Sequence, residues 1–391
     1  MRRTIITWVC DLKIALCSDW VYPSVGGVQS HIMGLAAQLK ELGHEVIIVT
    51  KEMDHEDPAA EYPGGVRKVK AKRLTLPEHI LAPPNPDDLR RLLKREDFDV
   101  VHAHHAFTPT PLLSLDAARR LGVPSVLTNH SITFASSSDL IWGPVSQVLP
   151  FKRYINMADR VIAVSGAAAE FIERFMDSGE AIVIPNGVDV GRFHDPKPVP
   201  KGVFDLTRLE HPMVFSAGRL AFRKGFHLLL EAMPRVLSVN PGARLYVAGK
   251  GAMAGFLSML VESLDLEDEV KLLGFVPEDV LPWLYRSCDV FALPSVAAES
   301  FGITLIEAMA AGRPVVASRI GGVPEIIDDG VDGFLFEPWD SRGLGEAVNT
   351  LLGDPGLAAE MGRRAHAAAE ERYSWPKVAH RIEEVYEDVT S

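Results

Sequence analysis

Short apolar runs and amphipathic stretches alternate along nearly the whole of this 391-residue chain, and that alternation constrains the fold more than any single motif. Residues 14–18, 45–50, 100–103, 125–128, 161–164 and 181–184 read as buried strands, separated by helices such as 34–42 and 167–175. A strand that returns through a helix lies parallel to its predecessor. The first half is therefore expected to be α/β, a doubly wound Rossmann-like sheet. The second half repeats the scheme with strands at 213–217, 244–249, 270–274, 290–294 and 314–318. The sequences of the halves do not repeat, so the likeness is one of architecture.

Length supports two domains, since 391 residues exceed what a single core usually fills, and the 47% apolar content can cover two sheets. A Pro-rich stretch with Pro196, Pro198 and Pro200 limits the chain to extended conformations, which places a linker over 191–201. Residues 1–190 carry 20 Lys/Arg against 23 Asp/Glu, and residues 191–391 carry 20 against 29. So acidic a chain is no nucleic-acid binder. Arg67, Lys68, Lys70, Lys72 and Arg73, with Arg90, Arg91, Lys94 and Arg95, form basic runs that are either solvated surface or a patch for anionic lipid headgroups.

Cys10, Cys17 and Cys288 have neither paired nor metal-ligand spacing, as expected of reduced thiols in a cytosolic protein. No apolar run is long enough to span a membrane, and the N-terminus is a poor signal peptide. The chain is expected to be cytoplasmic, either soluble or peripheral on the cytoplasmic membrane face. Residues 1–11 precede the first strand and are expected to be an extension outside the fold.

Two carboxylates eight residues apart, Glu299 and Glu307, flank a loop-to-helix junction. The apolar run 289–295 reads as a strand and 303–311 as a helix, stopped by Gly312 and Pro314. Ser300, Phe301, Gly302 and Ile303 lie where the free N–H groups of a first helical turn make an anion site. Upstream, Gly218-Arg219 and Lys224-Gly225 occupy another strand-to-helix turn, which offers a guanidinium fork and a mobile ammonium to a diphosphate. Gly26-Gly27 after the first strand, and Gly249-Lys250-Gly251 after a later one, let backbone approach a phosphate closely. The latter lacks the Ser/Thr of a P-loop.

His130 follows a strand's C-terminal end, where the sites of α/β proteins collect. His102-Ala103-His104-His105 invites a metal, but period two puts only His102 and His104 on one face, with no third ligand evident. Asp97-Phe98-Asp99 imitates the D-x-D of metal-dependent sugar transferases, yet it precedes a strand instead of closing one.

Taken together, Glu299 to Glu307 as E-x7-E, Gly218-Arg219 with Lys224-Gly225, and Gly26-Gly27-Val28-Gln29-Ser30-His31 resemble the motifs of the family-4 retaining glycosyltransferases. The resemblance runs over nearly the whole chain, and three motifs in the right order are far more specific than any one. It implies the GT-B fold, two Rossmann-like domains facing an interdomain cleft. Residues 12–190 would bind the acceptor, 202–372 would bind the nucleotide-sugar, and 373–391 would cross back to the first domain.

By that resemblance Arg219 and Lys224 neutralise the leaving diphosphate, Glu299 holds the sugar and His130 lies against it. Glu307 holds the ribose. Gly26, Gly27, Gly249 and Ser300 to Ile303 line the donor, and Phe275-Val276 meet the base. Asp19, Tyr22 and His31 fall towards the acceptor. The resemblance implies no metal and no cofactor, the nucleotide-sugar being a substrate. Residues 18–32 look most like the enzymes that glycosylate phosphatidylinositol with N-acetylglucosamine or mannose. UDP-N-acetylglucosamine is thus the first donor expected, with UDP-glucose and GDP-mannose open, and an inositol phospholipid the first acceptor. The rival readings are a nicotinamide-dependent oxidoreductase and a non-catalytic subunit. The first leaves the Arg219/Lys224 and Glu299/Glu307 sets without purpose.

Overall fold

A computed structural model of the chain describes residues 11–20, 26–52, 65–70, 83–133, 151–198, 205 and 208–391. Cys10, Tyr22, Lys72, Arg73 and Pro200 lie outside the described residues. Contacts divide the chain into two compact units. One takes in the chain up to Val164, Ala168–Ile184 and Val378–Ser391; the other takes Ser165–Ala167 and Pro185–Lys377. The cut thus falls at Ile184, before the Pro-rich stretch, and the helix Val190–His194 belongs to the second unit.

The first unit holds strands β1 (Lys13–Cys17), β2 (Glu45–Lys51), β3 (Val66–Val69), β4 (Val100–His104), β5 (Ser125–Asn129), β6 (Arg160–Ala163) and β7 (Ile182–Val183) in one parallel sheet of order 3-2-1-4-5-6-7. Ile14, Ala15, Leu16 and Cys17 are all fully buried. Continuous burial is what a central parallel strand with both faces covered demands. Neither β3 nor its place at the sheet edge is legible in the sequence. Its Val66-Arg67-Lys68-Val69 reads as a charge run, because an edge strand tolerates charges that a central one cannot. Among the described basic residues, Arg67 and Arg95 meet Glu96, Arg90 meets Asp87, and Arg91 meets Asp88.

Local signals set the helix between β3 and β4. Asn85 caps it by accepting from the Asp87 N–H at 3.0 Å, Pro86 opens it, and Asp97 ends it in the left-handed conformation. Asp99 ties the start of β1, its carboxylate accepting from the Lys13 N–H at 2.7 Å. Of the D-x-D imitation, Asp99 therefore serves the start of the sheet and Asp97 the end of the preceding helix.

The last helix, Trp375–Thr390, reaches into the first unit from Val378 onward. His102 lies with Nδ1 2.6 Å from the Tyr386 hydroxyl and Nε2 2.7 Å from Thr128 Oγ1, and His44 Nε2 is 3.0 Å from Glu383. Tyr386→Phe keeps the buried ring but strands the His102 nitrogen. A cost of about 1–3 kcal/mol is expected in urea unfolding, and an unchanged midpoint would show the bond to be idle.

The second unit holds β8 (Met213–Ala217), β9 (Arg244–Ala248), β10 (Val270–Gly274), β11 (Val290–Leu293), β12 (Val315–Ser318) and β13 (Gly333–Phe336), parallel, in order 10-9-8-11-12-13. Its core joins Val214, Leu245, Val247 and Val290 of the sheet to Leu229, Leu230 and Met233 of the helix Phe226–Val239. In both sheets the strand order reverses beside the first strand of the unit, between β1 and β4 and between β8 and β11. At such points the loops leaving two neighbouring strands diverge and open a crevice at their C-terminal ends. Among the described residues, no helix is long and apolar enough to cross a membrane.

Candidate functional site

The crevice of the second unit is walled by the loops that follow β8 and β11. Gly225 stands at φ +68°, and a β-carbon there would lie 1.8 Å from the Pro294 carbonyl oxygen. Only glycine lets the turn after β8 press against the end of β11. The Val296 N–H donates to the Arg223 carbonyl at 2.8 Å, and the Arg223 guanidinium donates to the Ala298 carbonyl at 3.0 Å. Ala298 is held at φ +52°, strained for alanine, immediately before Glu299.

This stapled backbone brings Lys224 and Glu299 together. Lys224 Nζ donates to Glu299 Oε2 at 2.6 Å, and Ser295 Oγ donates to the same oxygen at 2.7 Å. Glu299 is only 5% exposed. Burial works to raise its carboxyl, but the Lys224 ammonium and its hydrogen bond prevail and hold it below the ordinary carboxylate value. The carboxylate is thus charged at neutral pH, beside a cation. Arg219 is exposed and forms no ion pair among the described residues.

Gly302 opens the helix Ile303–Ala310 at φ +106°. Its first-turn N–H groups face the same loop as Ser300 and the buried Phe301. Glu307 lies a turn further on, half-buried, and Oε2 accepts from the Tyr285 hydroxyl at 2.7 Å. Burial pushes the Glu307 carboxyl up to about 7, against the lowering effect of that bond. An acid raised in the folded state stabilises most below its unfolded value, and that contribution is lost as pH rises through the folded one. Wild type should therefore lose melting temperature relative to Glu307→Gln between about pH 4.5 and pH 7. A constant difference across that window would contradict the assignment.

The neighbouring strand ends are tied into the same floor. The Gly218 N–H donates to the Ala248 carbonyl at 2.9 Å, and the Gly249 N–H to the Gly274 carbonyl at 2.7 Å. A β-carbon on Gly249, at φ +149°, would lie 1.8 Å from the Gly218 oxygen. Phe275 is 55% exposed with Lys250 5.3 Å from its ring centre, while Val276 is buried. Tyr285 and Ser295, which orient the two glutamates, were not singled out by sequence; the only signal for Ser295 is its place at the end of the strand before Glu299.

In the first unit the motif residues also gather at the strand ends. Gly26 precedes the helix Gly27–Glu41 at φ 170°, an extended conformation open to any residue, so conformational freedom is not what glycine supplies there. His31, on that helix, lies with its ring centre 4.9 Å from that of His130. His104 Nδ1 is 3.4 Å from His130 Nε2. Burial lowers His102 to about 3 and His105 to about 4, and holds His104 and His130 well below the usual imidazole range. Asp19 is buried, accepting from the Thr110 N–H at 2.9 Å and hydroxyl at 2.5 Å, with Lys51 Nζ 3.2 Å away. Its carboxylate fastens the end of β1 to the helix Pro109–Leu121.

Residues 204–368 match the family described as glycosyl transferases group 1, and residues 25–192 match glycosyltransferase family 4. An uncharacterized glycosyltransferase of Methanocaldococcus jannaschii is 31% identical over 389 residues, 96% of this chain and 98% of that relative. This chain is a family 4 glycosyltransferase. One component of the phosphatidylinositol N-acetylglucosaminyltransferase of Arabidopsis thaliana is 31% identical to the glycosyltransferase, across 96% of this chain and 82% of the relative. The Mycolicibacterium smegmatis phosphatidyl-myo-inositol mannosyltransferase is 30% identical, across 97% and 94%.

Among solved structures, Anabaena HepE in complex with UDP-glucose superposes with a TM-score of 0.76 at 25% identity, covering 96% of this chain and all of that one. Sucrose-phosphate synthase of Thermosynechococcus elongatus shares the fold with a TM-score of 0.78 at 24% identity, covering 96% and 98%. The glycosyltransferase thus has the GT-B architecture of two Rossmann-like units, and it acts on nucleotide-sugars.

Proposed function

We propose that this glycosyltransferase moves N-acetylglucosamine from UDP-N-acetylglucosamine to an inositol phospholipid, with retention at the anomeric carbon. The observation that carries the reading is the buried Lys224–Glu299 pair, 2.6 Å apart, at the crevice of the second unit. Lys224 and Arg219 meet the diphosphate, Glu299 the sugar hydroxyls and Glu307 the ribose pair, with Phe275 and Val276 beside the base. By the family resemblance His130 is assigned to the sugar, and Asp19 and His31 are assigned to the acceptor.

In the transfer, the bond from the anomeric carbon to the phosphate oxygen breaks as a bond to the acceptor oxygen forms on the same face. The acceptor's proton passes to the departing phosphate oxygen. Negative charge grows on the diphosphate at that moment, and fixed cations in a site of low dielectric stabilise it most strongly then. The transfer step uses these cations and helix N-termini, with no metal and no cofactor. An acceptor with lipid tails calls for peripheral contact with the cytoplasmic membrane face. The choice of lipid is supported by the likeness to the Arabidopsis and Mycolicibacterium enzymes, and the choice of N-acetylglucosamine by the Arabidopsis enzyme, the Mycolicibacterium relative being a mannosyltransferase.

The test is transfer of labelled sugar from UDP-N-acetylglucosamine, UDP-glucose or GDP-mannose to phosphatidylinositol in phosphatidylcholine vesicles. Labelled lipid from UDP-N-acetylglucosamine, with an α-linkage by NMR, is the expected outcome. Label from GDP-mannose alone would move the donor to mannose, and no labelled lipid from any donor would overturn the acceptor.

A further inference from the structure

Three imidazoles of the first unit converge at the C-terminal ends of its strands. His31 comes from the helix after β1, His104 closes β4, and His130 follows β5. They are 2%, 0% and 8% exposed, and one ring nitrogen from each lies within 4.8 Å of the other two. His104 Nδ1 and His130 Nε2 are 3.4 Å apart, beyond the usual hydrogen-bond limit of about 3.2 Å. Two nitrogens bound to a tetrahedral zinc ion at about 2.1 Å stand about 3.4 Å from each other. The ring centres, at 4.9, 5.6 and 5.7 Å, match imidazoles that share one ion, which stand about 5 Å apart. His104 Nε2 is buried without a hydrogen-bond partner among the described residues. Behind it, the ring of His102 packs 4.1 Å away, itself fixed by Tyr386 and Thr128.

We propose that His31, His104 and His130 bind a divalent transition-metal ion, Zn²⁺ foremost, through three ring nitrogens with a fourth position open. Imidazoles select zinc and its neighbours over Mg²⁺ or Ca²⁺, which require oxygen ligands. The shared position is not visible in linear spacing, because each ligand comes from a different element. The site stands independently of the transfer reading. One consequence rests on that reading: an ion held there engages His130, so zinc is an inhibitor of transfer and no cofactor for it.

Chelator-stripped protein titrated with Co²⁺ should take up one equivalent, with the intense visible absorption of tetrahedral cobalt, bleached by Zn²⁺. His104→Ala and His31→Ala should each weaken uptake at least 100-fold, while His105→Ala retains it. UDP binding and melting temperature, measured on the same samples, report folding and the donor site separately. A folded wild type that binds UDP but develops no cobalt band would overturn the metal site. So would a His104→Ala protein that binds Co²⁺ like wild type.

Discussion

Replacing Lys224 with Ala is expected to lower transfer by about 10²–10³-fold, the usual cost of removing one fixed group that stabilises charge in a transition state. The loss should fall mainly on kcat, because the diphosphate, already charged in the bound donor, gains further negative charge as the sugar departs. A second effect comes from the partner. Glu299 is buried, and its ammonium neighbour and Ser295 keep it charged. Removing one member of a buried pair costs about 3–5 kcal/mol when the other stays charged.

The pH dependence distinguishes the two effects. In wild type the carboxyl of Glu299 is held low, so its contribution is present above the unfolded value and is lost as pH falls through the folded one. In Lys224→Ala burial is opposed only by Arg223 and the Ser295 hydrogen bond, so the carboxyl rises relative to wild type and the loss of stability on acidification shrinks. Melting curves from pH 3 to pH 8 read that change. Wild-type turnover in Lys224→Ala would remove the lysine from the transfer step.

Gly225→Ala is expected to be worse for the fold than for the chemistry. The new β-carbon would meet the Pro294 carbonyl oxygen at 1.8 Å and its carbon at 2.8 Å, both backbone, with no flexible side chain to yield. Left-handed backbone alone costs a non-glycine residue about 1–2 kcal/mol, and the collision forces the loops after β8 and β11 apart. A loss of more than about 3 kcal/mol follows, with the Lys224–Glu299 contact gone. Gly255→Ala is the matched control. It lies in the helix Ala254–Ser263 with nothing within 4 Å of its would-be β-carbon, and should stabilise by about 0.5–1 kcal/mol. Equal behaviour of the two variants would refute the close approach.

What could be read from sequence was whatever repeats locally. Buried parallel strands such as Met213–Ala217 announce themselves as unbroken apolar runs, and the Glu299–Glu307 spacing survives because strand, loop and helix are contiguous. Two of the four edge strands, β3 and β13, escaped. β3 carries charges and β13 is only Gly333–Phe336, so neither has enough apolar length to register. Side chains that orient the motif residues escaped too. Tyr285 reaches Glu307 from another helix, and Thr110 reaches Asp19 from 91 positions away. Period-two reasoning paired His102 with His104 and missed that His31 and His130 complete a trio with His104, since only the reversal of strand order brings those elements together.

The measurement that tests the central claim most directly is calorimetric binding of UDP, with GDP, ADP and NAD beside it, to wild type, Arg219→Ala and Glu307→Ala. The account predicts that UDP binds wild type and that both substitutions weaken it by 10-fold or more while the protein remains folded. UDP affinity unchanged by either substitution, or binding of NAD alone, would contradict a donor site built on Arg219, Lys224, Glu299 and Glu307.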